Sequence, residues 1–183
     1  MNNLQFIRDT MSRASRFTAI PGWGGVAMGV TAFATAAIAS RASAPSEWTL
    51  WWLGDAALAI GIAIVSISRK ASRLHLPLAA APTKRFALAY VPPVIAGAVL
   101  TFVFIANGLT ARLPGCWLLL YGVAITAGGT LSVRVVPIMG VLFMALGVAA
   151  FGAPAAYGDA FMAAGFGGLH IIFGLIIARN YGG

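Results

Sequence analysis

The sequence predicts an all-α membrane protein with six transmembrane helices, and three observations lead to this fold class. Hydrophobic residues make up 60% of the 183 residues and charged residues only 9%, whereas soluble domains carry about 25% charged residues. The apolar residues form six runs that are long enough to cross a bilayer. A pattern of Gly and Ala recurs three times, so we expect three repeated helical hairpins.

The repeated pattern is G-x-A-x-x-A-x-G, and it begins at Gly54, at Gly122 and at Gly158. A short element that runs from Arg to Pro precedes each copy, at residues 16–21, 85–92 and 134–137. The sequence therefore predicts one transmembrane domain over residues 1–183, and its hairpins cover about 21–67, 86–134 and 137–179.

The first two helices have clear entry signals. Pro21 opens the first helix, over residues 21–39, because the first helical position needs no N–H. Three tryptophans open the second helix, which runs to about residue 67. They are Trp48, Trp51 and Trp52, and we expect them to form an aromatic belt at the membrane interface.

The remaining helices follow with shorter connections. The third covers 86–107, and the pair Pro92-Pro93 either kinks it or marks its membrane entry. Entry is favoured, because the prolines of the other hairpins occupy that position. The fourth helix starts near Trp117 and ends near Arg134, the fifth covers 137–151, and the sixth covers 158–178.

Residues 1–19 precede these helices and have a different character. Leu4, Ile7 and Met11 recur at helical spacing, and three arginines lie between and beyond them. This pattern suits a short amphipathic helix in the headgroup layer. A frayed basic tail is the alternative interpretation.

The basic residues indicate the orientation. Ten of the 12 Lys and Arg residues fall in the N-terminal segment, in the connections between helices two and three and between four and five, and in the C-terminal tail. Only Arg41 and Arg112 lie on the other side. The positive-inside rule then places both termini in the cytoplasm, and we expect the inner membrane of a bacterium. The lipid bilayer is the expected partner, and nucleic acid is not.

Six glycines of the repeat are predicted to be helix-packing residues. Residues seven apart on a helix point nearly the same way, and glycine lets two backbones approach closely in lipid. The pairs are Gly54 with Gly61, Gly122 with Gly129, and Gly158 with Gly165.

Four ionisable residues are candidate intramembrane functional residues, because such groups are costly in a bilayer. Asp55 and Asp159 are either helix-start carboxylates that the helix dipole favours or a proton-titratable pair. His170 is either a neutral side chain bonded to a backbone or hydroxyl group, or a proton relay. The repeat places Arg134 at the same offset as His170.

Enzymatic signatures are missing from the sequence. It contains no nucleotide-binding loop, no G-x-S-x-G and no H-E-x-x-H. The single Cys116 excludes an intramolecular disulfide and a zinc site built from cysteines. We therefore expect no catalytic residues, no metal and no cofactor.

The last hairpin carries a family resemblance. The stretch GVLFMALG over 140–147, a short loop with Pro154, and GFGGLHIIFG over 165–174 precede Ala178-Arg179. This hairpin, over 137–179, resembles that of the HdeD-type acid-resistance membrane proteins. The resemblance implies a small six-helix protein of the bacterial inner membrane that is linked to stress and has no known catalytic residues.

Two functions are compatible with the sequence. The first is a non-enzymatic helical bundle in a stress response or as an accessory subunit, in a homo-oligomer or a membrane complex. The alternative is a small solute or proton-coupled transporter or channel that uses Asp55, Asp159 and His170. Carriers usually contain broken helices at the membrane midplane, whereas prolines at helix entries favour the first function.

Overall fold

The computed structural model describes residues 20–75 and 81–181, and these residues form helices and connections without a strand. Six helices are long and apolar enough to cross a membrane. They are α1 (Gly22–Ala39), α2 (Pro45–Arg73), α3 (Ala81–Ala106), α4 (Thr110–Gly129), α5 (Val135–Gly152) and α6 (Ala155–Tyr181). The expectation of a multi-pass membrane protein is confirmed, whereas the predicted amphipathic segment over residues 1–19 lies outside the described residues.

Helix α3 corrects the predicted role of its proline pair. Pro92 and Pro93 lie inside the helix, and Pro92 is eleven residues beyond its first residue, Ala81. Pro82 is the second residue of the helix as described, and residues 76–80 before it lie outside the described residues. Interior prolines are tolerated in membrane helices because neighbouring groups compensate for the lost backbone hydrogen bond.

Helix α6 is not uniform along its length. After a turn of 3₁₀-helix at Ala155–Tyr157, it is α-helical over Gly158–Met162, π-helical over Ala163–Leu169 and α-helical again over His170–Tyr181. A π-helical turn is wider than an α-helical one and often marks a functional site. The continuous sixth helix that the sequence predicts is therefore interrupted in its middle.

Each helix has defined neighbours. Helix α1 packs against α2 and α6, and α4 packs against α3 and α5, while α6 also contacts α5 through its π-helical part. Helices α2 and α3 make no extensive contact with each other over the described residues. The most extensive pairing, α4 with α5, joins two predicted hairpins, so the threefold repeat stays a prediction.

Helices α4 and α5 touch through their backbones. A Cβ atom added to Gly140 would lie 2.6 Å from the amide nitrogen of Thr126, and one added to Gly147 would lie 2.6 Å from that of Leu119. A Cβ on Gly122 would lie 2.7 Å from the Gly140 carbonyl oxygen. Only glycine permits this approach, and its positions on both helices follow a seven-residue spacing at 115, 122 and 129 and at 140 and 147.

Helices α1 and α6 form a second pair of this kind, and they are also antiparallel. A Cβ on Gly29 would lie 2.6 Å from the Gly167 carbonyl oxygen, and a Cβ on Gly174 would lie 2.8 Å from that of Gly22. Gly25 faces Gly174 in the same contact. The first helix is therefore held against the last through backbone contact.

Four of the six repeat glycines lie in close contact with another part of the bundle, and two do not. On α4, Gly129 lies against Pro137 and Gly122 against α5; on α6, a Cβ on Gly165 would lie 3.1 Å from the Phe143 ring. A Cβ on Gly158 would lie 3.1 Å from Cγ of Pro114.

Gly54 and Gly61, by contrast, are exposed, and a Cβ there would meet no described atom within 4 Å. The packing prediction is wrong for these two residues within one chain. Helix α2 contacts the bundle through Trp52 and Lys70. Residues two apart point about 200° apart on a helix, so Gly54 lies opposite Trp52.

Lys70 joins three helices at the end of the bundle where α1 begins. Its side chain is only 6% exposed, and Nζ donates hydrogen bonds to the carbonyl oxygens of Ile20, at 2.9 Å, and Tyr181, at 3.0 Å. Ile20 precedes α1, and Tyr181 is the last residue of α6. The ammonium group also offsets the partial negative charge at the carboxyl end of α6.

We predict that Gly140→Leu destabilises the protein strongly and that Gly61→Leu does not. A leucine at 140 must separate two backbones in contact, which typically costs about 1–3 kcal/mol or more. A leucine at 61 meets open space, so we expect a change within about 0.5 kcal/mol. Melting temperatures of the purified variants in detergent would test this, and equal melting of the two variants would contradict the packing described.

We also predict that Lys70→Met lowers stability while Arg69→Met does not. The first change leaves two carbonyl groups without their charged donor, and such hydrogen bonds contribute about 1.5–3 kcal/mol. Arg69 is the exposed neighbour on the same helix and serves as the matched control. Chemical denaturation monitored by circular dichroism would measure both, and an unchanged midpoint for Lys70→Met would exclude a stabilising role.

Candidate functional site

A cavity of about 300 Å³ lies where α2 and α3 face each other. Its walls come from α1, α2, α3, α4 and α6, and most of the lining side chains are apolar, such as Met28, Ala59 and Val94. The polar or partly polar side chains in the wall are Trp52, Asp55, Tyr90, Thr101, Trp117, Tyr121 and His170. The cavity is the candidate site, because it gathers these groups inside the apolar bundle.

His170 is the polar residue at the end of the π-helical segment. It is 5% exposed, and its Nδ1 lies 3.0 Å from the carbonyl oxygen of Phe166. Because a carbonyl only accepts, Nδ1 carries a proton. Nε2 lies 2.8 Å from the Tyr121 hydroxyl oxygen and accepts its hydrogen in the neutral tautomer. Both ring nitrogens are therefore engaged. Phe143 and Phe166 pack against the same ring.

Asp159 closes the opposite end of the site with two tryptophans. Its Oδ1 accepts hydrogen bonds from Nε1 of Trp48, at 2.7 Å, and of Trp52, at 3.0 Å. Trp48 in turn stacks on Trp117, with 5.7 Å between the ring centroids. Asp159 lies in the first turn of α-helix in α6, and its role is to hold the indole rings.

The three tryptophans of α2 have different surroundings, and their place at the membrane interface stays a prediction. Trp51 is 44% exposed on the outer surface, whereas Trp52 is 3% exposed and Trp48 is hydrogen-bonded to Asp159. Two of the three indoles point into the bundle because a carboxylate there accepts their N–H groups. That partner is distant in sequence, so composition alone assigns all three to the interface.

Asp55 lines the cavity and is not at a helix start. It lies ten residues beyond Pro45, or about 15 Å along α2, so the helix-dipole interpretation does not apply to it. Thr31 and Thr35 of α1 lie beside its carboxyl group, although the Thr31 hydroxyl donates to the Met28 carbonyl. Oδ1 of Asp55 is buried and has no hydrogen-bond partner among the described residues.

The structure brings together only two of the four ionisable candidates. Asp55 and His170 line the same cavity, while Asp159 lies beyond Trp52 and does not line it. Arg134 is exposed in the connection that precedes α5. Its place in a layer with His170 stays a prediction, although α4 ends at Gly129 and Arg134 lies beyond that helix.

Sequence reasoning missed several residues of the wall. Tyr90, Thr101 and Tyr121 lie in apolar stretches without a motif. Their part in the site can be recognised only from the partner that each has on another helix. The hydroxyl of Thr101 donates to the Gly97 carbonyl at 2.7 Å and accepts from Trp117 Nε1 at 2.8 Å. For Tyr90 and Tyr121, the available signal was a hydroxyl group on an aromatic ring in the middle of a predicted helix.

Comparisons with known proteins add no relative to this description. No protein-family model matches the chain, and no curated protein or solved structure matches it either. In the described part of the chain, no three His, Cys, Asp or Glu side chains come together as metal ligands. The resemblance of the last hairpin to the HdeD-type proteins stays a prediction, and the cavity is interpreted from its own chemistry.

We predict that Tyr121→Phe destabilises the protein by about 1 kcal/mol. The change removes the donor to His170 Nε2, and hydrogen bonds between membrane helices contribute about 0.6–2 kcal/mol. Tyr157→Phe is the control, because Tyr157 is 57% exposed outside the cavity. Thermal melting in detergent compares the two, and equal stability would show that the bond to His170 contributes nothing.

Proposed function

We propose that this protein binds a small, largely apolar molecule inside the membrane and does not catalyse a reaction. The observation that carries this proposal is the cavity between α2 and α3, whose volume of about 300 Å³ falls at the lower end of the range of ligand pockets. An apolar wall with a few placed polar groups is the usual composition of such pockets.

The helix arrangement supports access from the bilayer. Helices α2 and α3 each pack on a neighbour at their far side, and over the described residues they make no extensive contact with each other. Large apolar side chains on both helices are exposed, among them Ile60 and Val94. A lipid-soluble molecule can therefore enter between the two helices without crossing an aqueous layer.

Transport of the bound molecule is a second candidate, and two features of the helices favour it. The π-helical segment of α6 supplies Phe166 to the cavity wall, and the proline pair of α3 supplies Pro93. Irregular helices beside a central site are typical of carriers. Prolines at helix entries favour a bundle without transport, whereas Pro92 and Pro93 lie inside α3. Uptake of a bound compound into proteoliposomes would separate transport from binding alone.

The proposed cellular setting follows from the sequence. The distribution of Lys and Arg supports a bacterial inner-membrane protein with both termini in the cytoplasm. The resemblance of residues 137–179 to the HdeD-type hairpin supports a role in a stress response. Binding by this chain alone, in a homo-oligomer or as an accessory subunit of a membrane complex is compatible with that role.

Filling the cavity should abolish binding. We expect neopentylbenzene, an uncharged apolar probe, to raise the melting temperature of the parent protein in lipid nanodiscs, since a ligand of the folded state stabilises it. Ala98→Phe places a ring in the cavity wall and should remove this shift. Ala96→Phe, an exposed position on the same helix that does not line the cavity, should keep it.

Two outcomes would count against the proposal. The first is a parent protein whose melting temperature does not respond to the probe at any concentration that the nanodiscs tolerate. The second is an equal response in Ala98→Phe and Ala96→Phe, which would place the binding outside the cavity. Melting of each variant without probe shows whether it is folded.

A further inference from the structure

We propose that the ligand of the cavity is a lipophilic cation, such as an apolar amine or a quaternary ammonium compound. This inference rests on the proposed function, because it assigns a chemical class to the molecule that occupies the same site. Three observations carry it: the carboxyl group of Asp55 in the wall, the lack of a basic side chain among the described residues that line the cavity, and the aromatic rings around it.

Among the described residues that line the cavity, Asp55 supplies the one carboxyl group. His170 is engaged at both ring nitrogens, and the Tyr121 hydroxyl is its donor. The Thr101 hydroxyl has both a donor and an acceptor. Oδ1 of Asp55 is enclosed by protein atoms and has no hydrogen-bond partner among the described residues, while the Asp55 side chain as a whole is only partly buried and lines the cavity. A ligand that meets this carboxyl group must therefore present a hydrogen atom or a positive charge.

The charge balance of the cavity selects a cation. The described side chains that line it include Asp55 but no Lys or Arg. A carboxyl group in an apolar wall either takes up a proton or needs a counter-ion to stay ionised. Since the described wall supplies no Lys or Arg, a cationic ligand is the counter-ion that keeps Asp55 ionised.

Aromatic rings supply the remaining surface. The N–H groups of Trp52 and Trp117 are bonded to Asp159 and Thr101, so these indoles offer ring carbons rather than donors to a ligand. Phe166 lies in the same wall. Aromatic faces attract ammonium groups, and the attraction increases when the group is shielded from water. An apolar body and one positive charge therefore match the wall better than an uncharged molecule does.

The test compares two molecules of the same shape. Benzyltrimethylammonium and neopentylbenzene differ in one atom, nitrogen against carbon, and hence in charge. Their binding to the full chain in nanodiscs is measured from concentration-dependent melting. We expect Asp55→Asn to weaken binding of benzyltrimethylammonium about tenfold or more, which corresponds to about 1.4 kcal/mol, and to leave neopentylbenzene unchanged. Each ligand is compared between variants, so its partitioning into lipid cancels.

Two further variants keep the result interpretable. Asp55→Glu retains the charge and should retain cation binding even if Asp55→Asn proves unstable. Glu47→Gln removes an acid on the same helix whose carboxylate accepts from the Ser43 amide outside the cavity, and it should bind like the parent.

The possible outcomes separate the two proposals. If neither molecule shifts the melting temperature of the parent, the proposed function fails. If both bind and Asp55→Asn affects them equally or not at all, the cavity remains a binding site and the assignment to cations is overturned. Weaker cation binding by Glu47→Gln to the same extent as by Asp55→Asn would also overturn it, because the effect would then be one of surface charge.

Discussion

Backbone contact between two pairs of antiparallel helices, α1 with α6 and α4 with α5, is the constraint on which the rest of the structure depends. Lipid tails are as apolar as leucine, so helices in a bilayer associate through close van der Waals packing rather than through the hydrophobic effect. Glycines such as Gly140 and Gly29 bring the paired backbones within contact distance. Helices α2 and α3 have no such pairing with each other over the described residues, and the space between them becomes the cavity.

The two ends of the bundle are closed by different polar contacts. At one end Lys70 donates to the backbone where α1 begins and α6 ends. At the other end the Asp159 carboxylate accepts hydrogen bonds from two indole N–H groups of α2. Polar groups in a bilayer must find partners within the protein, and these contacts provide them. Among the described residues, Oδ1 of Asp55 and Oγ1 of Thr126 are buried without a partner. Of these two residues only Asp55 lines the cavity, and functional sites are where such exceptions are expected.

The fold class and the number of helices could be predicted from the sequence because length and hydropathy suffice to recognise a transmembrane helix. Local chemistry was less reliable at helix boundaries, since Pro92-Pro93 and Pro21 carry the same proline signal and only packing distinguishes an interior position from an entry. Asp55 and His170 were identifiable as costly residues in lipid. Their common cavity was not, because it depends on which faces of α2 and α6 turn inward. Gly54, which points away from the bundle, shows the same limit. The spacing of residues along a helix defines one of its faces, but it does not say what packs against that face.

The pairing of α1 with α6 has a consequence for how the protein is made. Helix α6 is synthesised after the other five, so the glycine face of α1 has no partner while the chain is still emerging from the ribosome. Lys70 likewise cannot reach the Tyr181 carbonyl until then. A chain interrupted before α6 would lack one acceptor of Lys70, the Tyr181 carbonyl, and would leave the glycine face of α1 bare within the membrane. The last helix to be made is therefore the one that completes the packing of the first.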